Sequence, residues 1–561
     1  MVPWRTSLDA ALKESKESGK PVFWYVPSLA GSPMDRQDWV DWSMMAGPFS
    51  WPRTVALLGD HYVPVRRSAS KAQMKRFGLK VREFVEPGFI ILGPDGKEQM
   101  RAHELTSLHP LWFLRQLKTG DALPLDTLHP GFLTPEQARR CLHGDTSIEL
   151  DPGIDVAQKA EARWLLGAGQ WSRRDEEGAK EHWASLVRDY PDSPLAAKAQ
   201  MEIEGYGPFV RGLEWPVELP EKALVPSGDG TRLPDVYETS ELWNSGARFL
   251  VHMQRSHGGF VDSIYDFGGT DSLPNVFSTV TAIAAIALLE AAHRKVEVEG
   301  LEEALQAALL YASDDARLAM QDTDERVWVY LYRIRLYTRW LDRRPQDKGR
   351  IQPLLEKATQ DVLGMQADTG AWYHEYSSPF VTAQSLVALH DAKEHGVRIK
   401  GVAKIVERGV AALMQCRTNQ GAYSYYYRPN RSPRSSIEEG VGRMPLGEEA
   451  LWRWKAGRRG DIARAIELSF EHQHHLFAVQ KYDDHASRYA YGGFFFWWDL
   501  WVRSEAILAL PQGALRRRML EEQRKVLLQM PEIDGAFIDS HEVGRAYGTG
   551  MALWCLALTE E

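Results

Sequence analysis

The densest group of side chains able to do chemistry lies between residues 471 and 485. His472 and His475 are three positions apart, which would place them on one face of a helix, and Asp484 follows shortly after. Zinc accepts imidazole and carboxylate ligands, so these three residues are a candidate metal site. The alternative is a partly exposed histidine helix beside a loop, because the spacing matches no fixed ligand motif.

Two other groups are candidates for acid–base catalysis. Asp483, Asp484 and His485 stand next to one another, and His374 is followed directly by Glu375. A carboxylate beside a histidine can transfer protons near neutral pH. We therefore treat all five residues as catalytic candidates.

Further carboxylates follow a glycine turn near residue 258. Asp262 and Asp266 come after this turn, as Glu375 comes after a similar turn at Gly370. Two carboxylates that face each other across a site can cleave glycosides, one as acid and the other as base or nucleophile. The alternative is that these are ordinary surface groups.

The turns belong to a repeat that occupies the chain beyond residue 240. In each copy a helix ends near a glutamine, and a polar stretch leads to Gly, a small residue and an aromatic. Glycine permits a tight left-handed turn, and the glutamine can cap exposed backbone groups. The glutamines are Gln254, Gln366, Gln415 and Gln529, and the turns are 258–260, 370–372, 421–423 and 535–537. Such a repeat predicts stacked pairs of helices.

These units resemble the QW repeats of squalene and hopene cyclases and the related turns of protein prenyltransferases, which form α/α toroids. The resemblance covers about residues 240–561 and implies six helix pairs around an aromatic-lined lumen that suits an apolar ligand. The acidic DxDD motif of the class II terpenoid cyclases has its nearest counterpart in residues 322–325, Asp-Thr-Asp-Glu, which departs at the last position. Cys555, in the region where prenyltransferases bind zinc, lies in an apolar helix and is predicted to be core.

The first 120 or so residues alternate helical and strand-like segments. Their order resembles a thioredoxin-like domain, with Pro87 where that family keeps a cis-proline. The segment that would carry the redox CxxC reads Pro-Ser-Leu-Ala-Gly-Ser-Pro over residues 27–33, which excludes dithiol exchange there. The resemblance therefore implies a scaffold that binds peptide or caps its neighbour.

Between these regions the chain is helical and then rich in Pro and Gly. A helix that ends in Tyr190-Pro191 and restarts on alanines is similar to a tetratricopeptide hairpin. We predict three parts: a thioredoxin-like domain over 1–125, a helical linker over 126–235 and an all-α (α/α)6 toroid over 236–561.

Composition narrows the possible partners. The formal net charge of -9 disfavours nucleic acid, and we find no run of about 18 apolar residues that would span a membrane. Three scattered cysteines and a charged N-terminal helix without a signal sequence favour the cytoplasm, unless a leader peptide has been removed. The sequence favours a binding or scaffold protein that holds an apolar ligand or a peptide partner. The alternative is a toroid enzyme with an atypical site, similar to the terpenoid cyclases and prenyltransferases or cleaving saccharides.

Overall fold

The structure, a computed structural model, describes residues 2–31, 39–81, 83–84, 86–102, 113–114, 117, 131–217, 219–220, 237–265, 272–477, 495–540 and 542–561. They form two compact units. One comprises Met1–Tyr237 with Met530–Gly535, and the other comprises Glu238–Gln529 with Ala536–Glu561.

The first unit contains a four-stranded sheet with helices in its connections. The strands are β1 Val22–Val26, β2 Val63–Arg66, β3 Gly88–Leu92 and β4 Glu98–Ala102, and the helices are α1 Leu8–Ser18, α2 Trp39–Ala46, α3 Pro52–His61 and α4 Lys71–Phe77. The strand order is β2-β1-β3-β4, with β1 parallel to β2 and antiparallel to β3. The Glu86–Pro87 peptide bond is cis.

The rest of the first unit is helical. Its helices are α5 Pro135–Leu142, α6 Ser147–Leu150, α7 Val156–Ser172, α8 Glu176–Asp189 and α9 Pro194–Ile203. Helices α7 and α8 approach closely at Gly167, where a Cβ atom would lie 2.5 Å from Trp183 Nε1. That indole donates to Trp164 O at 3.1 Å, so the hairpin is both packed and hydrogen-bonded.

The second unit is a closed double ring of helices. Six inner helices each pack against the next, and the last packs against the first. The inner helices are α11 Leu273–His293, α13 Arg326–Arg343, α15 Pro379–Glu394, α18 Met444–Arg453, α21 Phe496–Leu508 and α23 Arg545–Thr559. The outer helices are α10 Thr239–Met253, α12 Leu301–Ser313, α14 Lys348–Gly364, α16 Val402–Cys416, α19 Arg459–Glu471 and α22 Ala514–Leu528. Within the described residues, this confirms the predicted α/α toroid.

Smaller elements fill the connections of the ring. A two-stranded hairpin, β5 Trp372–His374 and β6 Tyr376–Ser378, precedes α15. Two short helices, α17 Ile437–Gly440 and α20 His474–Phe477, lie ahead of α18 and after α19.

Helix α11 is the most apolar helix of the described residues. The sequence predicts no run of about 18 apolar residues, and Leu273–His293 is interrupted by polar residues, although by length and overall composition it could cross a membrane. It is the one such helix among the residues that the structure describes, and 78% of its most apolar window is buried. Its apolar residues contact the neighbouring helices of the ring, which explains its composition without a bilayer.

The glutamine repeat connects one helix pair to the next. Gln254 Nε2 donates to Gly258 O at 3.0 Å and to Ala304 O on α12 at 2.8 Å. Gln366 Nε2 makes the same two bonds, to Gly370 O and to Ile405 O on α16. The predicted capping role is confirmed for these two residues.

Gln415 departs from this pattern, because its Oε1 accepts from the Tyr427 hydroxyl at 3.2 Å. A threonine on the following inner helix completes the turns, as Thr281 and Thr382 accept from the backbone N–H groups of Phe260 and Trp372.

Candidate functional site

A small cavity lies inside the ring, where the inner helices begin. It offers about 60 Å³ to the centre of a water-sized sphere. A water needs roughly 10–15 Å³ on this measure, so there is room for a few waters or an ion with its waters, and not for a drug-sized ligand. Its walls are mostly aromatic and aliphatic, and Glu325 and His374 are the lining residues with carboxyl or imidazole groups. The lining residues are Tyr265, Val276, Thr279, Val280, Glu325, Trp328, Tyr332, His374, Phe495, Trp498, Val543 and Tyr547.

Glu325 reaches the cavity from a rigid loop that ends at the start of α13. Asp322 is buried in this loop, and its Oδ1 accepts from the backbone N–H groups of Asp324 at 3.0 Å and Glu325 at 3.3 Å. Its Oδ2 accepts from Asn275 Nδ2 on α11 at 2.8 Å. Asp322 therefore holds the backbone, and the following carboxylates remain for other contacts.

His374 ends strand β5 and is buried beside Trp328, with ring centroids 5.5 Å apart. Its Nδ1 lies 3.0 Å from Asp324 O. A carbonyl oxygen can only accept, so Nδ1 carries the proton in this contact and Nε2 keeps its lone pair. Nε2 in turn lies 3.8 Å from Glu375 Oε1.

Glu375 forms the one-residue turn between β5 and β6, where His374 pairs with Tyr376. Its φ of 56° is left-handed, a conformation that costs a non-glycine residue roughly 1–2 kcal/mol. Its backbone N–H donates to Asp324 Oδ1 at 3.3 Å. The tight turn is thus tied to the acidic loop.

The three side chains form a compact group. One ligand atom from each of Glu325, His374 and Glu375 lies within 4.8 Å of the other two. Glu325 Oε1 is 3.9 Å from His374 Nδ1, is buried, and makes no hydrogen bond with the part of the chain that the structure describes. It is therefore a buried acceptor without a donor, which costs roughly 1–3 kcal/mol.

The electrostatics of this group are those of a site short of positive charge. Burial raises the pKa of Glu325 to about 8, and the neighbouring Asp322 and Asp324 add to the rise. Burial also lowers the pKa of His374, which favours the neutral ring. Burial raises the pKa of Glu375, and Glu325 adds to this against the opposite effect of His374.

The structure brings the predicted candidates His374 and Glu375 together with Glu325, which we had considered only as the departure from the DxDD motif. The sequence signal was the acidic run at residues 322–325, but nothing in it showed that a hairpin fifty residues later would lie against it. The catalytic candidates Asp483, Asp484 and His485 lie outside the described residues.

The predicted helix face of His472 and His475 is wrong. Helix α19 ends at Glu471, His472 caps it with φ −105° and ψ 17°, and His475 belongs to the separate short helix α20. The two rings still stack, with centroids 6.2 Å apart. Asp484, the third predicted ligand, lies outside the described residues.

Two other candidates have structural positions. Asp262 Oδ2 accepts from Ala546 N at 2.9 Å in the first turn of α23, whereas Asp266 lies outside the described residues. Cys555 is buried and its pKa is raised, first by burial, so it is core as predicted.

The opposite end of the ring, where the inner helices end, is occupied by ion pairs around a cavity of about 440 Å³. Glu290 is buried on α11 and accepts from Arg294, Arg339 and Arg343. Arg335 bridges Asp391 and Glu505. These charges compensate one another, unlike those around Glu325.

Comparison with known proteins gives neither a family nor a curated relative, since no family model and no curated protein matches the chain. Similar solved structures include the GH76A α-1,6-mannanase from Salegentibacter sp. HEL1_6, with TM-score 0.36, 10% identity, and coverage of 58% of this chain and 98% of that one. A variant of the type II terpene cyclase MstE from Scytonema, in complex with geranylgeranyl dihydroxybenzoate, gives TM-score 0.34, 13% identity, and coverage of 57% and 96%. The apo form of MstE gives TM-score 0.34, 14% identity, and coverage of 57% of this chain and 97% of that one. At such low TM-scores these likenesses support no statement about the activity of this chain.

Proposed function

We propose that the protein is a hydrolytic enzyme whose active site is the cavity at the start of the inner helices. The single observation that carries the proposal is the position of Glu325. It lines a cavity large enough for water, its buried Oε1 has no hydrogen bond from the described residues, and a histidine and a second carboxyl group lie within 4.8 Å of it. This combination, rather than the missing hydrogen bond alone, separates it from other buried polar groups of the described residues. The enzyme alternative of the sequence analysis was a toroid enzyme similar to terpenoid cyclases and prenyltransferases or cleaving saccharides, and of these only saccharide cleavage is a hydrolysis.

The chemistry follows from the group around the cavity. The neutral imidazole of His374 or the Glu375 carboxyl group can hold a water and accept its proton while the water oxygen attacks an electrophilic carbon or phosphorus. Glu325, whose raised pKa of about 8 keeps it protonated near neutral pH, can give a proton to the departing group. The aromatic walls suit an apolar part of the substrate. The size of the cavity argues against a whole isoprenoid chain as the ligand.

A panel of p-nitrophenyl esters, phosphates and glycosides tests the proposal with the full chain. We expect release of p-nitrophenol from at least one class and a loss of at least about 100-fold in kcat/KM in Glu325→Gln, since acid–base groups contribute about 10²–10⁴-fold. Glu407→Gln, an exposed glutamate on the outer helix α16, is the matched control and should keep full activity.

A panel without turnover, or equal turnover by wild type and Glu325→Gln, would overturn the enzyme proposal. It would return the binding or scaffold role to first place. That role has one supporting observation, a group of tyrosines that includes the exposed Tyr373 and Tyr426. Tyr426 packs against Tyr376 with ring centroids 4.5 Å apart, a surface that suits a peptide or an apolar partner.

The first unit is, we propose, a thioredoxin-like domain without redox chemistry, followed by a helical linker. The order β2-β1-β3-β4, with a parallel pair followed by an antiparallel hairpin, supports this. The boundaries 1–125, 126–235 and 236–561 and the cytoplasmic location remain proposals of the same kind.

A further inference from the structure

We propose that Glu325, His374 and Glu375 bind one first-row divalent transition-metal ion. The metal site itself follows from the geometry of these three side chains, and its role in hydrolysis rests on the proposed function. The sequence analysis placed zinc at His472, His475 and Asp484 instead.

The donor set suits such an ion. It consists of one imidazole nitrogen and two carboxylate oxygens, a mixture that Zn²⁺, Mn²⁺ and Fe²⁺ accept and that Ca²⁺, which takes six to eight oxygens, does not favour. Zn²⁺ holds nitrogen and oxygen ligands at about 2.0–2.2 Å, so tetrahedral ligand atoms stand roughly 3.4 Å apart. One donor atom from each residue lies within 4.8 Å of the other two. Glu375 Oε1 is 3.8 Å from His374 Nε2 and Glu325 Oε1 is 3.9 Å from His374 Nδ1, so a side-chain rotation that brings Glu325 towards Nε2 would complete the set.

The contacts behind the donors are those that prepare a metal ligand. A histidine ligand usually donates its other ring N–H to a carbonyl or carboxylate, which fixes the tautomer and the ring orientation. His374 Nδ1 makes this contact with Asp324 O and leaves Nε2 towards Glu375. Asp322 fixes the loop that carries Glu325, and the Glu375 N–H is bound to Asp324 Oδ1.

A second observation favours a cation as the ligand of this group. Glu325 is only 6% exposed and lines the cavity, and its Oε1 accepts no hydrogen bond from any residue that the structure describes. Asp322 and Asp324 place further negative charge beside it. A divalent ion would compensate the charge of Asp322 and Asp324 and would coordinate Glu325 Oε1 in place of a proton. The few waters for which the cavity has room would complete its coordination, as in catalytic rather than structural metal sites.

Metal binding to the full chain, without any substrate, tests this inference. Protein freed of metal with a chelator is titrated with Zn²⁺ and with Mn²⁺ by calorimetry, and its metal content is measured after gel filtration. We expect one equivalent per chain for at least one of the two ions. We also expect affinity to fall at least tenfold in Glu325→Gln and in His374→Gln, because each variant removes one ligand.

The matched control is His475→Ala, which removes a histidine from the group predicted by sequence and should leave the affinity unchanged. Far-UV circular dichroism of the apo variants shows that they fold. Because a bound ion stabilises the folded state, the wild type should also gain thermal stability with metal, and folded Glu325→Gln should not.

Absence of binding to the wild type, undiminished binding to Glu325→Gln, or binding abolished only in His475→Ala would overturn the inference. The two proposals fail separately. Turnover that depends on Glu325 but occurs without metal binding would support the proposed enzyme and contradict the metal site. Metal binding without turnover of any substrate on the panel would support the metal site and contradict the proposed hydrolase.

Discussion

At the residue scale, burial has a larger effect than neighbouring charges on the pKa of several carboxyl groups of the second unit. Asp539 is the simplest case, because it is buried and accepts from the backbone N–H groups of Trp497 at 2.8 Å and Phe496 at 3.3 Å. Burial raises its pKa from 3.8 to about 7, against the opposite effect of these two donors. The folded state therefore keeps a proton that the unfolded chain has already released.

This gives a pH prediction. The contribution of Asp539 is fully present below about pH 4 and is lost as the pH rises towards 7, because ionisation is easier in the unfolded chain. Asp539→Asn, which mimics the neutral acid, should remove this dependence. The free energy of unfolding of the variant relative to wild type should rise by up to about 4 kcal/mol between pH 4 and pH 8. Urea unfolding at both pH values measures it, and parallel profiles for the two proteins would contradict it.

Residue types alone identified part of the candidate site. His374 and Glu375 stood out because a histidine beside a carboxylate is a recognisable combination. Glu325 did not, because its importance depends on having no hydrogen-bond partner, and only the packing of the β5–β6 hairpin against the acidic loop shows this. Asp262 was a candidate catalytic carboxylate in the sequence, whereas in the structure it caps the start of helix α23.

At the element scale, two different constraints can require a glycine, a left-handed backbone and a close approach of a neighbouring element. Gly258 has a φ of 91°, and a Cβ atom there would lie 2.5 Å from Ala307 O on the neighbouring outer helix. Gly300 has a similar φ of 75°, but a Cβ atom would meet only Val251 Cγ1, at 3.7 Å. The first position needs both the backbone conformation and the space, and the second needs only the conformation.

Alanine substitutions at Gly258 and Gly300 separate the effect of the left-handed backbone from the effect of the close approach. Gly300→Ala should cost about 1 kcal/mol of unfolding free energy, which is the penalty for a left-handed alanine. Gly258→Ala should cost roughly 2–4 kcal/mol, since helix α12 must also move away. Chemical denaturation of both variants measures the two losses of unfolding free energy. Equal losses would show that the close approach of helix α12 to Gly258 contributes nothing.

The repeat was legible in the sequence because its residues recur at similar spacing. The threonines that accept from the turn could not be recognised in the sequence, because their distance along the chain from the turn varies. Thr281 follows Phe260 by 21 positions, whereas Thr382 follows Trp372 by 10. Helix ends were also hard to place. The histidines at 472–475 read as one helix, whereas the chain leaves α19 at His472 and begins α20 at His474.

At the scale of the whole ring, the end opposite the cavity holds the first and last inner helices together through charge. Glu290 on α11 accepts from Arg339 and Arg343 on α13, and both arginines also pair with Glu561. Its side chain is buried, so removing its charge leaves three guanidinium groups without the negative charge that they share.

We therefore expect Glu290→Gln to destabilise the second unit by about 3 kcal/mol, the range for breaking a buried ion pair. Glu302→Gln removes a charge that pairs with Arg344 but is half exposed, and it should cost less than about 1 kcal/mol. The midpoint of thermal unfolding of the two variants measures the difference. Similar midpoints would mean that the network is screened by solvent.

The closure of the ring could be expected from the number of repeats, but the way it closes could not. The sequence gives no sign that Asp262 pairs with the start of the last helix or that α11 packs against α23, since these contacts join segments far apart in the chain. The apolar character of α11 even resembles a membrane span until its neighbours are known.

This closure has a consequence for synthesis. Helix α11 leaves the ribosome long before α23, which covers one of its flanks. At about 5–20 residues per second, that apolar flank stays uncovered for roughly tens of seconds in each new chain. The nascent protein therefore presents a surface of the kind that chaperones recognise, and this exposure ends once α23, which closes the ring, has been translated.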